Sequence, residues 1–176
     1  MTKNMQLLCT PCEGAKLPAY ATDGSAALDL FSLHPFTLRA NEPMLVDTGV
    51  SMAIPEGYYG QIMGRSGYAL KHQVSVHPGV IDCDYRGHVK VLMTKQSLGM
   101  SSVGNQLEFA QHDRIAQLLI LPVARVAPVA VAELPATVRG AGGFGSTGTA
   151  TFDNATVFPD LGQTPVQIEP EEPFYR

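Results

Sequence analysis

Gly79-Val80-Ile81-Asp82-Cys83-Asp84-Tyr85-Arg86-Gly87 sets two carboxylates, one aromatic ring and one guanidinium between two glycines. Val80 and Ile81 lead into it, and Val89, Val91 and Met93 lead away at every second position, the period of a strand with one buried face. The pattern predicts a β-hairpin whose tip carries polar chemistry on a pocket floor. Asp82 at a strand end suits a base, and Tyr85 offers its face to a ring. Asp84 is not expected to act with Asp82 as a pair. An acidic turn fits the same residues, because Asp and Gly are favoured in turns, so the rest of the chain has to decide.

A chain of 176 residues is most simply one domain with a real core. Its net charge of −4 argues against a broad nucleic-acid footprint. An anionic ligand must then be caught by a few placed arginines. With 17 Gly, 13 Pro and only 16% charged residues, the composition suits short strands joined by turns better than long helices. Cys9-Thr-Pro-Cys12 spells C-x-x-C, but the one other cysteine is Cys83, too few for a second pair. Reduced thiols suit an intracellular setting. Neither a signal peptide at Met1 nor an apolar run of membrane-spanning length is visible, so no membrane association is expected. A cytosolic, nuclear or viral setting suits these features equally.

Taken in order, Gln6 to Cys9 reads as a first strand and Leu28-Asp29-Leu30 as a second, with Asp29 the odd charge between two leucines. Solvent exposure and a functional role fit Asp29 equally. Pro43 to Ile54 is a β-rich run broken by Asp47 and Gly49, and Tyr58 to Met63 returns after a Pro55-Glu-Gly57 turn. Gly64-Arg65-Ser66-Gly67 follows. Its glycines let backbone approach a ligand, and Arg65 and Ser66 offer donors to phosphate oxygens. Ser66 to His72 is long enough for one or two helical turns. Val74 to Val76 and His88 to Thr94 read as strands, and Lys95 to Asn105 as a surface loop. In Gln111 to Pro122, Ile115 to Leu121 reads as a buried strand. Gln117 is the polar residue inside it, bonded either to neighbouring backbone or to a ligand.

Arg139-Gly-Ala-Gly-Gly-Phe144-Gly145-Ser146-Thr147-Gly148 contains a formal G-x-G-x-x-G. It lacks the strand-turn-helix context of a dinucleotide site and the Lys of a P-loop. One Arg, one Phe and two hydroxyls on a glycine-rich segment suit a lid over an anionic, ring-bearing ligand, and equally a plain linker. The Pro- and Glu-rich tail beyond is expected to be partly disordered or draped on the surface.

These five stretches resemble, in order and spacing, the five motifs of the trimeric dUTP diphosphatase (dUTPase) family, over roughly residues 16 to 148. The most specific pieces are GVIDCDYRG (79–87), DRIAQL (113–118) and RGAGGFGSTG (139–148). The resemblance implies a jelly-roll β-barrel core over 1–138, a closing arm over 139–148 and a tail over 149–176. It implies an all-β fold and a homotrimer with shared active sites that splits dUTP into dUMP and pyrophosphate. Asp82 matches the general base, and Tyr85 the ring under the deoxyribose. Arg65, Ser66, Gly67 and Gln117 match the phosphate-binding positions, and Gly79 and Ile81 the segment that reads uracil through its backbone. Arg139, Phe144, Gly145, Ser146 and Thr147 match the arm that closes over the substrate. Asp29 matches a carboxylate tied to the metal site through water, with Mg²⁺ held by the triphosphate.

The chain departs from the family pattern at Ala27, at His77-Pro78, and at His112 in place of a glycine. Its loop over 95–106 is longer and its tail is an extension, so either is a candidate for a protein partner. A dCTP deaminase, similar in topology, needs a Glu where Leu92 stands, which excludes deamination. A catalytically silent trimer serving as an interaction module is the remaining alternative, and intact Asp82 argues against it.

Overall fold

A computed structural model describes residues 5–97 and 105–143. Phe144, Gly145, Ser146 and Thr147, the tail over 149–176 and most of the 95–106 loop lie outside them. The chain forms two compact units, Met1–Ala127 and Pro128–Arg176.

The first unit carries β1 (Leu8–Pro11), β2 (Leu28–Phe31), β3 (Phe36–Arg39), β4 (Met44–Ala53), β5 (Tyr58–Met63), α1 (Ser66–His72), β6 (Val74–Val76), β7 (Gly79–Ile81), β8 (His88–Lys95), β9 (Gln106–Phe109) and β10 (Arg114–Pro122). All strand pairs are antiparallel. One sheet runs β1-β4-β8-β6, a second β2-β10-β5-β7, and β3 pairs with β9. Val46, Val50, Met52, Val89, Val91 and Met93 from the first sheet share one core with Leu30, Ile62, Ile115 and Leu118 from the second. The architecture is the expected all-β jelly roll. The alternation in β8 is regular, with Val89, Val91 and Met93 buried and Lys90 and Leu92 exposed.

Lys95, expected to open a surface loop, is instead the last residue of β8 and is 3% exposed. Three further expectations need correction. The first strand begins at Leu8 rather than Gln6. The run from Met44 to Ala53 is one strand, not a broken one. It absorbs Asp47 to Ser51 as an irregularity opposite β8, with Gly49 at φ 67°. A Cβ on Gly49 would lie 2.8 Å from Cys12 Sγ and 2.9 Å from a Leu33 methyl, so only glycine fits there. Inside the irregularity the Thr48 hydroxyl donates to the Val89 carbonyl at 2.7 Å, which satisfies a buried polar group.

The third correction concerns the hairpin. β7 pairs with β5, whereas β8 lies between β4 and β6 in the other sheet. Gly60 faces Ile81 and Gly79 faces Ile62 across the β5–β7 pair, so each isoleucine fills the space its glycine leaves. Residues 82–87 are therefore a crossing from one sheet to the other rather than a hairpin tip.

Candidate active site

At the crossing, the Tyr85 N–H donates to the Asp82 carbonyl at 3.2 Å and closes a turn. The Arg86 guanidinium donates to the carbonyls of Cys83 and Tyr85, both at 2.8 Å, so this cation organises the loop. Tyr85 folds back, and its hydroxyl donates to the His88 carbonyl at 3.1 Å. Its ring covers Gly87, where a Cβ would lie 2.6 Å from the ring carbon Cζ. Any side chain at position 87 would displace the ring. One face of the turn opens on a cavity of about 590 Å³ lined by Tyr58, Tyr59, Val80, Asp82, Cys83, Asp84, Val123 and Arg125. Asp82 and Asp84 share this cavity, contrary to expectation, because residues two apart lie on one side of an extended chain and the turn keeps them together. Arg125 was not anticipated. It follows β10 in a Pro- and Ala-rich stretch that gives no hint of a site.

A second group forms where β2, β10 and the start of α1 meet. Gln117 lies in register with Asp29 of β2 on one side and Met63 of β5 on the other. Asp29 is 4% exposed. Arg65 Nε is 3.5 Å from its Oδ1, and Arg114 Nη1 is 3.4 Å from its Oδ2. Oδ1 receives no aligned hydrogen bond among the described residues, so Arg65 acts there by charge and distance. The Arg65 guanidinium also donates to the Arg114 carbonyl at 2.9 Å. Asp29 thus anchors two arginines. Arg114 lies inside the quoted DRIAQL stretch, but its sequence gives no sign of this partner, which is 85 positions away.

Arg65 is the N-cap of α1, in extended backbone, and Ser66 is the helix's first residue. A cavity of about 200 Å³ opens there, lined by Arg65, Gly67, Tyr68, Lys71 and His72. Burial pushes the Tyr68 hydroxyl's pKa up, and Asp113 adds to this, while Arg65 and Arg114 oppose it. A third cavity, of about 390 Å³, includes Asp29, Lys16, Tyr20, His112 and Arg114. His112 sits at φ 66°, a left-handed conformation that glycine adopts more cheaply. Its Nε2 donates to the Gly14 carbonyl at 2.7 Å, a bond that a glycine lacks.

In the second unit Arg139 makes its own turn. Its Nε donates to the Gly142 carbonyl at 2.9 Å, and the Gly142 N–H returns to the Arg139 carbonyl at 3.0 Å. Arg65 and Asp82 line different cavities of the first unit. Among the described residues no cluster of three or more His, Cys, Asp or Glu offers a metal cage.

A family model described as dUTPase matches residues 13–148. The chain belongs to the dUTPase family. A deoxyuridine 5'-triphosphate nucleotidohydrolase of Anaeromyxobacter sp. (strain Fw109-5) is 47% identical over 135 residues, or 76% of this chain and 88% of that dUTPase relative. Another, from Rhizobium meliloti (strain 1021), is 46% identical over 143 residues, covering 78% and 86%. Among solved structures, a mutant dUTPase of Staphylococcus bacteriophage 80alpha with dUpNHpp matches with a TM-score of 0.74 and 26% identity, over 81% of this chain and 98% of the phage chain. His77-Pro78 and His112 both lie within the matched residues of this dUTPase family member.

Proposed function

We infer that the protein hydrolyses dUTP to dUMP and pyrophosphate, which limits uracil in DNA and supplies dUMP. The carrying observation is the family match over 13–148, within which Asp82 heads the turn that also carries Tyr85. Water oxygen attacks the α-phosphorus and its proton passes to Asp82. The bond to the bridging α–β oxygen breaks, and pyrophosphate leaves. Phosphoryl transfer of this kind needs a positioned nucleophile and stabilised charge.

Arg65, Ser66, Gly67 and Gln117 take phosphate oxygens. Asp29 supports this set by holding Arg65, and only indirectly the metal. Mg²⁺, carried on the triphosphate, supplies charge neutralisation. Gly79 and Ile81 present backbone to uracil, and Tyr85 underlies the deoxyribose and excludes a 2′-hydroxyl. Arg139, Phe144, Gly145, Ser146 and Thr147 close the site. The protein acts as an intracellular homotrimer that joins Asp82 of one copy to Arg65 of another. Separation of these two residues into different cavities supports that arrangement.

Turnover in ¹⁸O-water tests the chemistry: label is expected in dUMP, and label in pyrophosphate would refute attack at the α-phosphorus. Asp82→Asn should bind dUTP nearly normally and lose roughly 10²–10⁴ in kcat. In a panel of dUTP, dTTP, UTP and dCTP, dUTP should be preferred by about 10⁴, as expected of steric and hydrogen-bond exclusion. Comparable use of dTTP would show that His77-Pro78 has opened the base pocket. Absence of pyrophosphate release from dUTP would leave an interaction module as the better reading.

A further inference from the structure

We propose that Lys95 is a positioning residue for the phosphate end of the site, its buried ammonium fastening the last turn of α1 to the end of β8. This rests on the phosphate role given above to Arg65 and Ser66.

Val89, Val91 and Met93 of β8 face the core, and Lys95 is the next residue in that phase, at 3% exposure. An ammonium taken from water is costly unless its donors are paired. Lys95 Nζ donates to the carbonyls of His72 at 3.1 Å and Gln96 at 3.3 Å. His72 is the last residue of α1, where carbonyls lack partners within the helix and the dipole favours a cation. Gln73 then turns left-handed, at φ 53°. Its carbonyl accepts from the Gln96 N–H at 3.0 Å. Lys95 and Gln96 therefore hold two consecutive carbonyls at the end of the helix. The backbone of Lys95 is itself fixed, since it pairs with Val74 of β6 and its carbonyl accepts from Asn41 N–H at 2.8 Å.

α1 needs such support. It has seven residues, none of them buried, and a helix that short does not persist alone. At its start the cap Arg65 is held by Asp29 and the Arg114 carbonyl, and the Tyr68 ring packs against Phe109 at 5.1 Å. The same short helix starts at Ser66 and has Arg65 as its cap. Whatever sets its orientation also sets where these two groups point.

The test uses the full chain. Lys95→Met keeps the stem and removes the donor. The KM for dUTP should rise roughly ten-fold, the worth of one charge-assisted bond, with kcat within about two-fold. An unchanged KM in folded protein overturns the proposal, and so does a fall in kcat alone. If Lys95→Met does not fold, amide exchange in the wild type decides. Protection of the Gln73 N–H comparable to β8 supports the role, and free-peptide exchange there overturns it. Wild-type protein that leaves dUTP intact would overturn the function instead. Lys95 is then judged by binding of inorganic tripolyphosphate with Mg²⁺, which Lys95→Met should weaken by the same factor and which an unchanged affinity would overturn.

Discussion

Two acidic residues illustrate what burial does to a charge. Asp29, almost closed to solvent, faces Arg65 and Arg114. Removing one member of such a group leaves the others unpaired, at about 3–5 kcal/mol when fully buried. Asp29→Asn retains shape and one acceptor, and Arg65 and Arg114 are partly exposed, at 26% and 50%. The expected loss is therefore smaller, about 1–3 kcal/mol in a urea titration, with a raised KM for dUTP as Arg65 loses its anchor. Asp47 is more open. Burial pushes its carboxyl up, but the Gly49 N–H, His88 and Lys90 together outweigh this and hold it below its ordinary 3.8. A depressed carboxylate contributes stability above its ordinary value and loses it as pH falls through the lowered one. Asp47→Asn should melt below wild type at neutral pH, and the gap in Tm should close as pH drops below 3.8. A gap that persists in acid would show that charge is not the cause. Asp29 was visible in the sequence as a charge between leucines. Its burial was not, because both arginines that cover it are distant in the chain.

Elements were legible where period and punctuation were local. β5 follows a Pro-Glu-Gly turn, β8 alternates, and α1 occupies Ser66–His72 as its composition suggests. β3 and β9 went unread, since each has only four residues and their pairing joins segments far apart in the chain. The hairpin expectation failed for a related reason. Adjacency in sequence favours pairing β7 with β8, but two glycines let β7 sit against β5 instead. Gly60 tests this directly. A Cβ there would lie 2.8 Å from an Ile54 methyl, 3.0 Å from a Leu118 methyl and 3.2 Å from Ile81 Cβ. Gly60→Ala should cost about 1–3 kcal/mol by overpacking. Because Ile81 directly precedes Asp82, kcat for dUTP should fall as well. Loss of stability with full turnover would mean that the crossing holds Asp82 independently of β7.

Over the whole molecule, the sequence motifs supply the candidate site residues, and the resemblance supplies the expectation that several copies share them. Arg65 and Asp82 open on different cavities, as the proposed site shared between copies requires. An active monomer in sedimentation at working concentration would contradict this. Truncation before Arg139 should leave the jelly roll folded by circular dichroism while removing most turnover, because the proposed closing arm goes and core packing stays. The division also has a genetic side. Two defective alleles, one encoding Asp82→Asn and the other Arg65→Ala, should complement each other. Subunits unfolded, mixed equally and reassembled would regain about a quarter of wild-type sites, because half of the donors on each side are intact and the two are drawn independently. Had each chain carried its own complete site, no mixture of the two alleles would recover anything.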